Sequence, residues 1–314
     1  MCIRDSSTHF DMRDFREVSA FLNVAIERRM NAFTLSQRGY VEKILDTFNM
    51  RDANPAPTPI EPAKYRALTE RRERTDEEAA VMATVPYRKL VGMLLYLSTH
   101  TRPDIAFAVA ILARHMAAPR PVHWVAGKRI LRYLRGTANF ALHLGAADLR
   151  LSAYADADWA GGADRLSVTG NLVLLGGAPV LWRSAKQPCT ALSTTEAEYV
   201  SLSTVARDVH WLRRLCRELG MAQDKPTPLY EDNTGAIAWA SDIGNFRRNK
   251  HIDVRVHHVR ELVDSNDLAI MHVPTNEQRA DVLTKPHHGP GLVAGRDRLG
   301  VRAPRASSGA SSSS

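Results

Sequence analysis

The chain has 314 residues, 44% hydrophobic and 24% charged, the balance of a soluble globular protein long enough for two domains plus tails. Its 42 Lys and Arg against 34 Asp and Glu give a net charge of +8, which suits a polyanionic partner but does not choose between DNA, RNA and an acidic protein; a basic solvated surface would look the same. Val91–Leu97 and Ala106–Ala113 are far short of the roughly 20 apolar residues of a membrane helix, MCIRDSSTHF has no signal-peptide core, and Cys2, Cys189 and Cys216 lack zinc or disulfide spacing, so a reducing intracellular compartment is expected.

Along the chain, Val18–Ile26 and Ala32–Leu35 alternate as two short strands with a turn at Arg28–Asn31. Ser36 is placed to cap a helix whose apolar face is Tyr40, Val41, Ile44, Leu45 and Phe48. Asn54–Pro62 carries four prolines and reads as an extended linker, and Glu70–Glu78 is a charge run. Helices follow at Tyr87–Leu97, Pro103–Met116 and Val122–Arg135. The last carries Lys128, Arg129, Arg132 and Arg135, which either face solvent or track phosphates.

From Leu149 the pattern changes. Leu151–Ala155, Thr169–Leu175 and Pro179–Arg183 read as strands, the last two joined at Gly176-Gly177. Ser193–Gly220 is a long helix with a Ser start and a Gly end. A strand at Pro228–Tyr230, helices at Thr234–Ser241 and Asp253–Ser265, a strand at Leu268–Val273 and a terminal helix at Asn276–Lys285 complete a mixed α/β sheet with flanking helices. Beyond Pro286 the composition of Gly, Ala, Arg and Ser predicts disorder.

Acidic residues stand on the edges of these elements: Asp156 at a strand end, Glu196 and Glu198 in a first helical turn, Asp232 after a strand and Asp281 at the start of the last helix. Singly, each has an ordinary role as turn former, dipole partner or cap. Together they converge where strand ends meet helix starts, the edge at which α/β sheets bind ligands. Four carboxylates crowded there repel one another unless a hard divalent cation sits among them. Two such ions, roughly 4 Å apart, support in-line attack of water on a phosphodiester.

Leu151–Pro286 resembles the RNase H domain of copia-type (pseudovirus) retrotransposon polyproteins. The matching segments are AYADADWAGGADRLSVTGNLVLLGGAPVLWRSAKQPCTALSTTEAEYVSLS, LYEDNTGAIAWA, NKHIDVRVHHVRE and HVPTNEQRADVLTKP. FLNVAIERRMNAFTLSQRGYVEKILDTFNM, TPIEP and PYRKLVGMLLYLSTHTRPDIAFAVAILARHM resemble the end of the same family's reverse transcriptase. The resemblance implies an RNase H-like mixed five-stranded sheet with flanking helices, preceded by a partial reverse-transcriptase segment of β-hairpin and helices. It divides the chain into a non-family N-terminus (1–10), the C-terminal part of the palm (11–62), a linker with thumb- or connection-like helices (63–148), the RNase H domain (149–286) and a disordered tail (287–314).

The implied activity is metal-dependent hydrolysis of the RNA strand of RNA–DNA hybrids, with Asp156, Glu198, Asp232 and Asp281 as catalytic, metal-binding acids and two Mg²⁺ ions (Mn²⁺ as substitute). Glu198 is followed by an apolar residue and then Ser201, as the family's helix glutamate is; Glu196 is the reserve. Asp158 reads as a family residue outside the metal set. Many RNase H proteins carry a mobile His before the last aspartate, and His272 is nearby but reads as a strand residue. Lys128, Arg129, Arg132 and Arg135 are the candidate nucleic-acid contacts. Implied partners are the hybrid and the rest of the Pol polyprotein, with no membrane, in a cytoplasmic virus-like particle or the nucleus.

Phe15-Arg16-Glu17 stands where the family usually has Leu-Gly-Glu, and Asn23 where it usually has Gly. The polymerase's Tyr-x-Asp-Asp motif does not occur, so polymerase activity is expected only of an intact polyprotein. The alternative is a catalytically inactive nucleic-acid-binding remnant of a decayed element.

Overall fold

A computed structural model describes residues 17–29, 32–145, 148–241 and 250–304. The first predicted strand folds back on itself. Ala20–Phe21 (β1) pairs antiparallel with Val24–Arg29 (β2) across Leu22 and Asn23, whose φ values are 47° and 58°. Asn tolerates this left-handed backbone better than most residues, which accommodates the turn without glycine. β2 pairs with Ala32–Ser36 (β3); the rest of the predicted Arg28–Asn31 turn, residues 30–31, lies outside the described residues. Ser36 ends β3, one residue before the cap position, and its hydroxyl accepts from the Arg38 N–H at 3.3 Å. Gln37 stands at the cap of Arg38–Thr47 (α1) and spends its side chain accepting from the Thr101 hydroxyl at 2.8 Å.

After a 3-10 turn at Pro62–Lys64 come Tyr65–Thr69 (α2) and Asp76–Ala83 (α3). A Thr75–Glu78 capping box turns the end of the charge run into a helix start. Tyr87–His100 (α4) follows, then a 3-10 turn at Pro103–Ile105 leading into Ala106–Ala113 (α5), and then Pro121–Gly136 (α6). Ala141–Gly145 (β4), a strand the sequence reading missed, pairs with β3.

Leu151–Asp158 (β5), Val168–Leu175 (β6) and Ala178–Lys186 (β7) form an antiparallel meander, with positive φ at Gly176 and Gly177. Thr194–Glu218 (α7) is capped by Ser193. Thr227–Glu231 (β8), Thr234–Ser241 (α8), Lys250–Asp264 (α9) and Leu268–His272 (β9) follow. The strand order β7-β6-β5-β8-β9, with β5, β8 and β9 parallel, is a mixed five-stranded sheet as expected.

Two expectations fail at the C-terminal end. In place of a helix over Asn276–Lys285 there are two 3-10 turns, Thr275–Glu277 and Ala280–Leu283. The break is Gln278, extended (ψ 111°) because its buried amide donates to the Ala155 carbonyl at 2.8 Å. The stretch after Pro286 is ordered over Gly289–Arg298 (α10) and Val301–Arg302 (β10), and β10 pairs with β4. Leu292, Leu299 and Val301 are buried there, enough apolar anchoring for a segment that composition alone marked as disordered.

β10 completes a second, antiparallel sheet, β1-β2-β3-β4-β10. The two halves share a core. Leu90, Leu94 and Leu97 of α4 and Phe107 and Ile111 of α5 belong to one cluster with Tyr154, Val168, Leu172 and Leu174 of β5 and β6. The Trp182 indole donates to the Ser98 carbonyl at 2.6 Å across the same seam. The opposite face of the mixed sheet packs against α7 and α9.

His123 of α6 is fully buried, accepts at Nδ1 from the Arg120 N–H (2.9 Å) and donates from Nε2 to the Leu68 carbonyl (3.2 Å). Acceptance at Nδ1 requires the neutral ring. Burial, then the His115 ring stacked 3.8 Å away, pushes its pKa down to about 4. An unfolded His titrates near ~6.5, so the unfolded chain binds the extra proton between those values. Stability should therefore fall as pH drops from about 6.5 towards 4, by about 2–3 kcal/mol from this group. Urea unfolding at several pH values should show a flatter acid limb in His123→Gln than in the wild type.

Candidate metal centre

The site forms where two parallel strands part. β5 and β8 pair only at Ala153–Leu229 and Tyr154–Tyr230, so beyond that register their C-terminal ends diverge. This is also where the sheet switches from antiparallel to parallel neighbours, the place where α/β sheets open a crevice. Asp156 comes from β5, Asp232 follows β8, and Glu198 enters from the first turns of α7. One carboxylate oxygen from each lies within 4.8 Å of the others. The Ser201 hydroxyl donates to the Asp156 carbonyl at 2.8 Å and ties α7 to the strand.

Glu196 points elsewhere. Its N–H donates to Ser193 Oγ (3.1 Å) and its Oε2 accepts from the Leu192 N–H (2.8 Å), so it closes the cap of α7. Asp281 does not join the set of three. Its two oxygens are taken by Lys285 Nζ and by His287 Nε2, the latter at 2.9 Å. The same turn still reaches the centre, because the Thr284 hydroxyl donates to Asp156 Oδ2.

Gly170 of β6 makes that approach possible. A Cβ there would meet Thr284 Cγ2 at 2.6 Å and the Ala280 carbonyl at 2.9 Å. Gly170→Ala is expected to push the Ala280–Thr284 turn off the sheet and cost about 1–3 kcal/mol, the usual range for overpacking. Thermal unfolding checks the cost; an unchanged melting temperature would show that the turn yields freely.

Electrostatics divides the centre in two. Burial pushes Asp156 up to about 6, with Asp281 and Asp232 adding to the rise and Thr284 opposing it. Burial raises Glu198 strongly, and the charges of Glu231, Asp156 and Asp232 raise it further. Glu231, wholly buried, is raised by burial too. Burial also raises Asp281, but His287 and Lys285 more than offset it and hold the carboxyl below its ordinary range. Oε2 of Glu198 and Oε2 of Glu231 have no hydrogen-bond partner among the described residues. Hard oxygen donors, mutual repulsion and unpartnered buried oxygens together fit a divalent cation on the Asp156–Glu198–Asp232 side.

Glu231, Thr284, Lys285 and His287 escaped the sequence reading. The alternation Thr227–Leu229–Glu231 could have turned Glu231 inward, and Lys285 lies four residues after Asp281. His272 is not the histidine that meets Asp281; His287 is. Of the four Lys and Arg residues on α6, two bind the proline-rich stretch and a third binds the segment just before it. Arg129 bonds Glu61 (3.2 Å) and Thr58 (3.0 Å), Arg132 the Asn54 carbonyl (2.7 Å) and Arg135 the Arg51 carbonyl (2.5 Å). Prolines leave carbonyls near them without local donors, and Arg132 supplies one to the Asn54 carbonyl that precedes Pro55, while Arg129 holds the Thr58 hydroxyl and the Glu61 carboxylate. Lys128 lies 6.0 Å from the Trp124 ring. The predicted extended linker is thus strapped along α6, with Ala56, Thr58 and Ile60 buried.

The family described as reverse transcriptase (RNA-dependent DNA polymerase) matches residues 4–62. The chain is 43% identical over 285 residues to the retrovirus-related Pol polyprotein from transposon TNT 1-94 of Nicotiana tabacum, covering 90% of this chain and 21% of that protein. It is 39% identical over 282 residues to the Pol polyprotein from transposon RE1 of Arabidopsis thaliana, covering 89% and 19%. The chain thus spans about a fifth of the length of these curated relatives. Among solved structures, LC11-RNase H1 in complex with an RNA/DNA hybrid aligns with a TM-score of 0.33 and 16% identity, over 43% of this chain and 94% of that one. No helix among the described residues is long and apolar enough to cross a membrane.

Proposed function

Since the chain belongs to the copia-type retrotransposon Pol polyproteins, we propose that residues 149–286 are a ribonuclease H part that hydrolyses the RNA strand of RNA–DNA hybrids. Residues 11–62 would be the end of the palm and 63–148 the helices that connect it to the nuclease. The observation that carries this reading is the meeting of Asp156, Glu198 and Asp232 within 4.8 Å at the opening between β5 and β8.

Those three side chains would hold a divalent cation, Mg²⁺ or Mn²⁺. Such an ion, when bound, supplies an acidic water and neutralises charge gathering on a phosphodiester. The chain's own part is preorganisation. Ser201 fixes the backbone of Asp156, Thr284 fixes one of its oxygens, and Asn233 caps α8 so that Asp232 stays at the rim. Asp281 stands beside the centre as a fourth acid. Preference for the hybrid would come from groove shape and 2′-hydroxyl contacts. Lys128 would be a phosphate contact, and Arg129, Arg132 and Arg135 would add positive field while bound to the strap.

The test uses the whole chain, because the nuclease sheet shares its core with α4 and α5. With Mg²⁺ and a hybrid labelled on either strand, the RNA strand should be cut to 3′-hydroxyl ends and the DNA strand left whole. Binding of hybrid without cleavage by the folded protein would instead favour the inactive remnant.

A further inference from the structure

Around Asp281 the molecule already contains a cation. The Lys285 ammonium ion-pairs with one Asp281 oxygen, and His287 Nε2 lies 2.9 Å from the other. Asp156 and Asp158 are also within electrostatic reach of Lys285. Asp158 is itself held. A Cβ on Gly161 would stand 2.1 Å from its Oδ2, so the carboxylate lies against that backbone. Asp281 pairs with this ammonium directly, and Asp156 and Asp158 add to the negative field around it. On the other side, Glu198 and Glu231 each keep a buried oxygen without a partner. One half of the acidic centre is neutralised by the chain; the other half is not.

We propose that Lys285 is a built-in counter-ion occupying the Asp281 side of the centre, so that this chain takes one divalent ion, at Asp156–Glu198–Asp232, where the family resemblance implies two. This rests on the metal-dependent reading above. An ammonium on a flexible four-carbon stem is a compact point charge and can fill a cation's place between carboxylates. The Lys285 side chain is 42% exposed, so removing it opens the place to water and to an ion without emptying the core. Lys285 acts here as a positioning residue: its ion pair occupies one Asp281 oxygen and offsets that carboxylate's charge.

The experiment counts bound Mn²⁺ on the whole chain by calorimetry and by electron paramagnetic resonance, with no nucleic acid present. Wild type should bind one ion per chain, and Asp232→Asn should lose it. Lys285→Met should bind two, Lys285→Arg should return to one, and Asp281→Asn added to Lys285→Met should also return to one. Two ions in wild type, or one in Lys285→Met, would overturn the inference and leave the metal centre standing. No ion in folded wild type would overturn the metal-dependent reading itself, and this inference with it.

Discussion

Glu198→Gln should lower hybrid cleavage by about 10³-fold or more, equivalent to about 4 kcal/mol of transition-state stabilisation. The amide keeps the shape but removes the charge that would hold a cation between Asp156 and Asp232. Stability should move the other way. The folded-state pKa of Glu198 is raised above its unfolded value, so its favourable contribution exists below the unfolded value and is lost as pH rises. At neutral pH the wild-type residue is therefore a liability without metal, and Glu198→Gln should melt no lower, and rather higher, than wild type. Glu196→Gln should show the reverse pattern. Its carboxylate closes the α7 cap through the Leu192 N–H, so the loss is about 1 kcal/mol of stability with a rate close to wild type. Cleavage kinetics and thermal melts of the two variants separate a ligand from a cap; equal rate losses would refute the assignment.

Asp104→Ala should destabilise the whole fold by about 3–5 kcal/mol, a large share of the 5–15 kcal/mol typical of a domain. Arg102 and Asp104 are both buried and pair in a bidentate fork at 2.9 and 2.8 Å. The Tyr133 hydroxyl donates to Asp104 Oδ2 at 2.7 Å, and Arg102 also reaches the Thr137 hydroxyl at 2.7 Å. Burial pushes Asp104 up, but the Arg102 guanidinium and the Tyr133 hydroxyl outweigh it and hold the carboxyl ionised. Removing the carboxylate leaves a buried guanidinium without its counter-charge. Replacing both residues with apolar ones of similar volume should cost far less than the single change, since the penalty lies in the stranded charge. Urea unfolding of the single and double variants measures both; a loss under about 1 kcal/mol for Asp104→Ala would contradict the account.

The half with the mixed sheet could be read from its sequence because its signals are local. The Gly176-Gly177 turn, the Ser193 cap and the alternation in β6 each act within a few residues, and the mixed sheet follows from their order. Glu198 could be separated from Glu196 only by resemblance, and the structure adds the reason in the cap that Glu196 closes. What stayed hidden depends on distant partners. β4 and β10 are short strands whose pairing joins residues about 160 apart in sequence. The last helix failed because Gln278 spends its amide on the Ala155 carbonyl. Arg129, Arg132 and Arg135 looked like a phosphate-tracking face because nothing local shows that residues 51–61, about 80 positions earlier, take up their donors. His287 lay past the expected helix, so its approach to Asp281 depends on how the turn after β9 folds, whereas the four-residue spacing of Asp281 and Lys285 was a local signal left unused.

The most direct measurement is cleavage of an RNA–DNA hybrid by the whole chain and by Asp232→Asn, each with Mg²⁺ and with a chelator. The metal-centre account predicts RNA-strand cutting by wild type with Mg²⁺ alone, and none by Asp232→Asn although it folds and still binds the hybrid. Equal cutting by both proteins, or cutting that survives the chelator, would contradict it.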